Sequence, residues 1–135
     1  MMLPKHAAVA VADGEMLHLF ENVGDETRLV LSAMPAPALH DENGDSGARH
    51  RSSAANPDDK RLEEDDFAAA SATWLNRQVL DRKIEALVII ADPRTLGELR
   101  KHYHKPLQAA LRGELHKELT GHSIADIEAA ISHAR

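Results

Sequence analysis

Apolar and polar residues alternate through the first quarter of the chain and predict three strands. Residues 6–12 (HAAVAVA) and 16–20 (MLHLF) are separated by Asp13-Gly14. Asp-Gly between two such runs favours a β-hairpin with a type I′ turn, in which both central residues have positive φ. Residues 28–34 (RLVLSAM) predict a third strand, and Pro35 ends it because proline cannot donate a hydrogen bond to a sheet.

The alternation disappears from Pro35 to Pro57. This stretch is rich in turn-forming and charged residues and offers almost nothing to bury, so we predict a long mobile loop at 35–57. About 20 residues without regular structure are uncommon inside a domain and are often functional. The loop is therefore the first candidate binding element, and it carries the basic cluster Arg49, His50 and Arg51.

A helical period follows the loop. Asn56 is the predicted N-cap, with Pro57 at the first helical position and acidic residues in the first turn. Apolar residues recur at three- and four-residue spacing and predict one buried face: Phe67, Ala70, Trp74, Leu75 and Val79. The acids at 63–66 are interpreted as the solvated face, and residues 81–83 end the helix.

The next segment joins a strand to a helix. Residues 84–91 form a near-continuous apolar run, which is typical of a central strand covered on both faces. The stretch ADPRTLGELR (91–100) then starts a helix that we expect to reach Tyr103. Thr95 and Glu98 have the spacing of a capping box, in which the Thr95 hydroxyl accepts from the backbone of Glu98.

Two further helices and one strand complete the predicted order. Pro106 predicts a short helix through Leu111, since proline is tolerated in a first turn. Residues 112–119 are compatible with helix or strand, and we favour a strand in their C-terminal half. Ser123 has capping-box spacing to Asp126 and starts the last helix. The chain is therefore predicted to form an α/β fold, a mixed β-sheet with an N-terminal β-hairpin and flanking helices.

Composition narrows the functional classes. The chain has 135 residues, which suits the one domain that we expect over 1–135. It has no cysteine, which excludes disulfides, thiolate metal sites and thiol nucleophiles. No segment approaches the ~20 apolar residues of a membrane span, and the N-terminus lacks the apolar region of a signal peptide. We therefore expect a cytoplasmic protein without membrane insertion.

Basic residues provide the candidate binding chemistry. The net charge of −6 opposes non-specific attraction to phosphate, so RNA binding would need a local basic face. One basic group flanks the predicted loop and a second follows the central strand, at an edge where α/β proteins commonly bind ligands. The first group is Arg49, His50, Arg51, Lys60 and Arg61, and the second is Arg94, Arg100, Lys101, His102 and Lys105. Thr95, at the helix N-terminus, completes the predicted anion site.

Two metal-dependent alternatives have weaker support. A nuclease would need carboxylates converging on Mg²⁺, and the candidates are Asp13 and Asp92 with one of Asp65 or Asp66. The pair His102 and His104, with His116 and His122, suggests zinc, but i, i+2 spacing does not place two ligands on one helix face. The sequence contains no P-loop, G-x-G-x-x-G or G-x-S-x-G motif, and we expect no metal and no cofactor.

Three motifs resemble those of the bacterial host-attachment protein family. They are Val11-Ala12-Asp13-Gly14, the stretch 91–100, and Lys117-Glu118-Leu119-Thr120. That family is similar in architecture to the middle domain of archaeal and eukaryotic peptide-chain release factors, a ribonuclease-H-like mixed sheet. The resemblance implies a strand within 112–120. It does not imply peptidyl-tRNA hydrolysis, because the Gly-Gly-Gln loop of release factors has no counterpart at 35–57.

The leading functional hypothesis is a non-enzymatic binding domain that contacts RNA or the ribosome through the loop and the Arg94/Arg100 helix. A hydrolase or nuclease using Asp13 and Asp92 is the first alternative. A protein–protein interaction module acting through the loop is the second. The sequence does not define the oligomeric state.

Overall fold

The computed structural model describes residues 1–39 and 57–134, with five strands and four helices among them. The strands are β1 (Ala8–Ala12), β2 (Leu17–Asn22), β3 (Leu31–Met34), β4 (Leu87–Ala91) and β5 (Leu111–His116). The helices are α1 (Pro57–Leu80), α2 (Pro93–Arg100), α3 (Lys105–Ala110) and α4 (Ile124–His133). The predicted mixed α/β fold is confirmed.

One sheet contains all five strands, in the order β3-β2-β1-β4-β5. β1, β4 and β5 are parallel neighbours, whereas β2 and β3 are antiparallel additions. Ala12 lies opposite Ala91, and Ala91 lies opposite His116, so the three parallel strands end at one edge of the sheet. The residues that follow β1, β4 and β5 are therefore brought close together.

Helices cover both faces of β1 and β4, which explains why every residue of these strands is buried. On one face, Ala10 and Ile89 pack with Leu75 of α1 and Leu96 of α2. On the other face, the alternate residues of the same two strands pack against Ile127 and Ile131 of α4. These strand residues are Val9, Val11, Val88 and Ile90. Full burial of one such side chain stabilises the fold by about 1.5–3 kcal/mol.

Helix α1 follows its predicted pattern. Pro57 is its first residue, and Asn56, the predicted N-cap, lies outside the described residues. Ala70 and Leu75 are buried, while Phe67, Trp74 and Val79 pack partly buried against the core. The helix ends where Arg82 adopts a positive φ of 61°, and the Lys83 amide donates to the Gln78 carbonyl at 2.9 Å. The predicted break at 81–83 is confirmed.

The predicted hairpin is confirmed, but the predicted turn type is wrong. In the described part of the chain, positive φ occurs at His6, Arg82 and Gly121, and not at Asp13 or Gly14. Residues 13–16 form a four-residue connection, closed by the Asp13 amide donating to the Met16 carbonyl at 3.0 Å. Gly14 is needed for space instead, because a Cβ there would lie 2.6 Å from Glu64 Cγ.

The last strand begins earlier than predicted. β5 occupies Leu111–His116, so it lies in the N-terminal half of the ambiguous segment rather than the C-terminal half. Leu119 misled the prediction because it is apolar, yet it leaves the sheet and packs partly buried on the core face that α4 covers. α3 starts at Lys105, one residue before the predicted proline. α4 begins as predicted, with Ser123 Oγ accepting from the Asp126 amide at 3.1 Å.

The predicted loop at 35–57 lies mostly outside the described residues, at 40–56. The sequence predicted almost nothing to bury in this stretch; Leu39, in its described beginning, is 2% exposed and belongs to the core. No helix in the described ranges is long and apolar enough to cross a membrane.

Candidate functional site

Polar residues follow each of the three parallel strands at their common edge. Asp13 comes directly after β1, Asp92 directly after β4, and His116 is the last residue of β5. Open α/β sheets commonly bind ligands outside the carboxyl ends of their strands. The hydrogen bonds of these side chains show whether they are free to bind a ligand.

Asp92 is the N-cap of α2. Its Oδ2 accepts a 3.1 Å hydrogen bond from the Thr95 amide. The predicted capping box is therefore wrong. Thr95 lies inside the helix and is 7% exposed, and the Glu98 carboxylate accepts from Lys101 Nζ at 2.6 Å instead of returning to the Thr95 amide. The N-terminus of α2 thus holds a carboxylate of the protein itself.

The Asp13 carboxylate is also held by the protein. Its Oδ1 accepts from the amides of Glu15 and Met16, both at 2.7 Å. Its Oδ2 accepts from the Thr120 hydroxyl at 2.8 Å. This contact joins the hairpin connection to the segment that follows β5.

The metal hypotheses gain no support from this arrangement. Within 1–39 and 57–134, no three His, Asp or Glu side chains are grouped so that they could hold a metal ion. Asp65 pairs with Arg94, and Asp66 lies on the exposed surface of α1. His102, His104, His116 and His122 belong to no such group either.

Arg94 and Lys101, the residue that follows the last residue of α2, lie on one side of this helix. They are seven residues apart, which places them two turns apart on the same side of a helix. Arg94 Nη2 donates to Asp65 Oδ1 at 2.8 Å, and Lys101 pairs with Glu98. The hydrogen bond and the charge of Glu98 raise the pKa of Lys101. The Arg94 and Lys101 side chains remain 45% and 67% exposed.

Arg100 lies on a different side of α2 and contacts β5. It donates to Glu114 Oε1 from Nε at 3.1 Å and from Nη2 at 2.7 Å. Nη2 also lies 3.3 Å from His116 Nε2. The Tyr103 hydroxyl donates to the other Glu114 oxygen at 2.7 Å. Arg100 therefore connects the helix end to the edge strand.

The Glu114 cluster changes the acidity of its members. Burial would raise the pKa of Glu114, but hydrogen bonds from Arg100 and Tyr103 outweigh burial and lower it. Burial, followed by the hydrogen bond to Glu114, raises the pKa of Tyr103 far above its ordinary value. The hydrogen bond to Glu114 raises the pKa of Arg100. Glu114 is thus a stable carboxylate that fixes two side chains.

The predicted binding residues that the structure describes do not form one cluster. Arg94 and Lys101 share a face, Arg100 points to β5, and Thr95 is buried. His102 is exposed, and its carbonyl accepts from Asn76. Arg49, His50 and Arg51 lie outside the described residues, so a basic face shared with them stays a prediction.

Sequence reasoning missed Asn76. Its side chain is 4% exposed; Nδ2 donates to the His102 carbonyl at 2.8 Å, and Oδ1 accepts from the His104 amide at 3.0 Å. Asn76 therefore fixes the connection between α2 and α3, and with it the backbone that carries the basic residues. The sequence did contain a signal, because Asn76 is an amide side chain among the apolar residues of α1.

A second surface feature lies where the hairpin approaches α4. It is a groove of about 240 Å³ whose walls include Met16, Phe20, Leu119 and Ile127. The residues that line it include no lysine, arginine, aspartate or glutamate. The polar side chains in its lining are His18, Thr120 and His122, and most of its exposed surface is apolar.

The model of a protein family matches residues 6–131 of the chain, with the description "Bacterial archaeo-eukaryotic release factor family 12". The chain belongs to this family. The release-factor part of the resemblance is thereby confirmed over nearly the whole sequence. No curated protein matches the chain. For this family 12 protein, membership connects the five-stranded sheet to release-factor-like domains.

Proposed function

We propose that this family 12 protein is a non-catalytic binding domain that contacts RNA of the translation machinery through α2 and α3. Family membership supports the connection to translation. One observation supports the choice of this surface: basic residues are concentrated in one segment of an acidic chain. Residues 93–110, which we call the basic segment, contain Arg94, Arg100, Lys101 and Lys105 against the single acid Glu98, in a protein of net charge −6.

The ion pairs of the basic segment leave it able to bind phosphate. Exposed pairs such as Arg94–Asp65 and Lys101–Glu98 contribute about 0–1 kcal/mol, because water and salt screen them. A phosphate oxygen can therefore replace or join the carboxylate. Arg94 donates one hydrogen bond within the described part of the chain, which leaves the other N–H groups of its guanidinium for a ligand.

The contact is expected to depend on the RNA backbone rather than on base sequence. Reading of unpaired bases relies on aromatic side chains on which the bases stack. Tyr103 is the single tyrosine, and its hydroxyl is engaged by Glu114. Binding should therefore depend on the phosphates, which a duplex also presents, and should tolerate changes of base sequence.

The two candidate catalytic acids both have structural roles, which favours a non-catalytic function. Asp92 caps α2, and Asp13 accepts three hydrogen bonds from the protein. The sequence also has no Gly-Gly-Gln, the motif on which release-factor hydrolysis depends. The resemblance to host-attachment proteins is compatible with this role, since that name describes a phenotype and no chemistry.

The experiment is a titration of the protein into a fluorescein-labelled RNA duplex of about 20 base pairs, followed by anisotropy at low salt. We expect saturable binding that Arg94→Ala weakens by about 5- to 20-fold, the loss of one charge-assisted phosphate contact. Arg28→Ala is the matched control, because Arg28 is an exposed arginine at the β2–β3 connection. Equal effects of the two variants, or no binding, would contradict the proposal.

The same samples distinguish the alternatives. RNA cleavage that needs Mg²⁺ and is lost in Asp92→Asn would favour the nuclease hypothesis. Asparagine is as good an N-cap as aspartate, so the helix should be retained in that variant. A partner that is bound equally at low and high salt would favour the protein–protein module.

A further inference from the structure

Gly97 is an exposed glycine in the interior of α2. It is the fifth of the eight residues of this helix, Pro93–Arg100. Glycine inside a helix is less stable than alanine, because it loses more backbone entropy on folding. A Cβ built on Gly97 meets no atom within 4 Å. The fold therefore provides room for a side chain at a position where the chain has none.

Three of the other glycines in the described ranges have clear structural reasons. A Cβ at Gly14 would collide with Glu64, and one at Gly24 would collide with the Arg28 carbonyl, while Gly121 has a positive φ of 82°. At Gly113 a Cβ would meet only the flexible end of the Met1 side chain. Gly97 differs from the first three, since neither neighbours nor backbone conformation require it.

The position of Gly97 suggests why this residue has no side chain. Arg94 lies three residues before it and Lys101 four residues after it, so the three share one face of the helix. Gly97 thus leaves a strip of bare backbone between two exposed cations. A group that lies against this strip can come closer to the helix axis than any side chain but hydrogen would allow.

We infer that the sugar–phosphate backbone of RNA runs along α2 over Gly97, with phosphates on either side held by Arg94 and Lys101. This rests on the proposed function and deepens it, because it names the ligand group and the residue that determines how closely the ligand approaches. Both cations keep unused donors: Lys101 has three N–H donors, of which Glu98 takes one.

The spacing of the two cations and the bare backbone between them favour RNA over an acidic protein segment as the occupant. A phosphodiester chain carries its charges at regular intervals along a narrow ridge, which suits two cations about 10 Å apart along a helix axis. An extended acidic peptide would present backbone N–H and C=O groups to the strip, and the exposed face of α2 would have to pair them. Binding of an acidic peptide in place of RNA is therefore an outcome that contradicts the inference.

The test uses two substitutions that enlarge the side chain without changing charge, Gly97→Ala and Gly97→Gln. Alanine should raise the melting temperature by about 2–4 °C, because helix propensity improves. The same variant should bind the labelled RNA duplex about 3-fold more weakly, and the glutamine variant about 10-fold more weakly. Ala129→Gln is the matched control, an exposed position on α4 at the opposite face of the sheet. It should leave RNA binding unchanged.

A more stable protein that binds less RNA supports the inference. If both Gly97 variants bind RNA as the unsubstituted protein does while Arg94→Ala still weakens binding, the close approach at Gly97 is wrong and the proposed function stands. If the unsubstituted protein binds no RNA, both fail. A lower melting temperature for Gly97→Ala would overturn the inference by showing that the fold requires the glycine.

Discussion

The Thr120 hydroxyl donates a 2.8 Å hydrogen bond to Asp13 Oδ2, across 107 positions of sequence. The other Asp13 oxygen accepts from two amides of the hairpin connection. One carboxylate therefore fixes the turn after β1 and anchors the segment after β5 to it.

This contact predicts a graded loss of stability. Thr120→Val keeps the shape and removes one hydrogen bond, so we expect the free energy of unfolding to fall by about 1 kcal/mol. Asp13→Ala removes all three bonds and should cost about 2–3 kcal/mol. Urea denaturation followed by circular dichroism measures both. Equal values for the two variants would show that the turn amides do not depend on Asp13.

Asn76 should contribute more to stability than an exposed polar residue of the same helix. Asn76→Ala leaves the His102 carbonyl and the His104 amide without their partner, at a cost of about 2–3 kcal/mol. Thr73→Ala, at an exposed position of the same helix, is the control and should change stability by less than about 0.5 kcal/mol. The comparison is made by urea denaturation, and similar values for both variants would refute the role given to Asn76.

The N-cap of α2 can be identified by substitution. Asp92→Ala should destabilise the protein by about 1 kcal/mol, while Asp92→Asn should have almost no effect. Glu98→Ala removes only the exposed pair with Lys101 and should cost less than about 0.5 kcal/mol. If Glu98→Ala proved the most harmful of the three in thermal denaturation, the rejected capping box would be restored.

Tyr103 provides a spectroscopic test of the Glu114 cluster, because it is the single tyrosine. Its raised pKa means that the folded protein favours the neutral phenol. This stabilisation is fully present below the pKa of the unfolded chain, near 10, and is lost as pH rises through the folded value. The folded protein should therefore show no phenolate absorbance at pH about 10, where the urea-unfolded protein is half ionised. A matching titration in both states would contradict the burial of this hydroxyl.

Glu114 should behave in the opposite direction. Its pKa is lowered in the folded protein, so the stabilisation is present above the unfolded pKa and is lost as pH falls through the folded value. The difference in unfolding free energy between the unsubstituted protein and Glu114→Gln should therefore shrink in acid, below pH about 4. A constant difference from neutral to acid pH would exclude an ionised Glu114 as the cause.

The order of strands and helices could be predicted from sequence because most elements carry a local signal. The continuous apolar run of β4 predicts a buried strand, and apolar residues three and four apart in the second half of α1 predict a helix. The α2 cap was mispredicted although a decisive signal was present. Pro93 occupies the first helical position, which makes the preceding Asp92 the cap and places Thr95 inside the helix.

The state of the candidate site could not be predicted, because it depends on pairs that are distant in sequence. Asp65 reaches Arg94 from another helix, and Glu114 reaches Arg100 from the edge strand. No spacing rule connects such residues before the fold is known. Asp65 and its neighbours were interpreted as a solvated face, yet Asp65 lies half-buried against α2.

The salt dependence of RNA binding tests the central claim most directly. Each phosphate neutralised by a cation adds about −0.9 to the slope of log affinity against log salt concentration. The double variant Arg94→Ala/Lys101→Ala should therefore show a slope about two units shallower than the unsubstituted protein on the same RNA duplex. An unchanged slope in the double variant, with affinity equal to that of Arg28→Ala, would contradict phosphate binding by this face of α2.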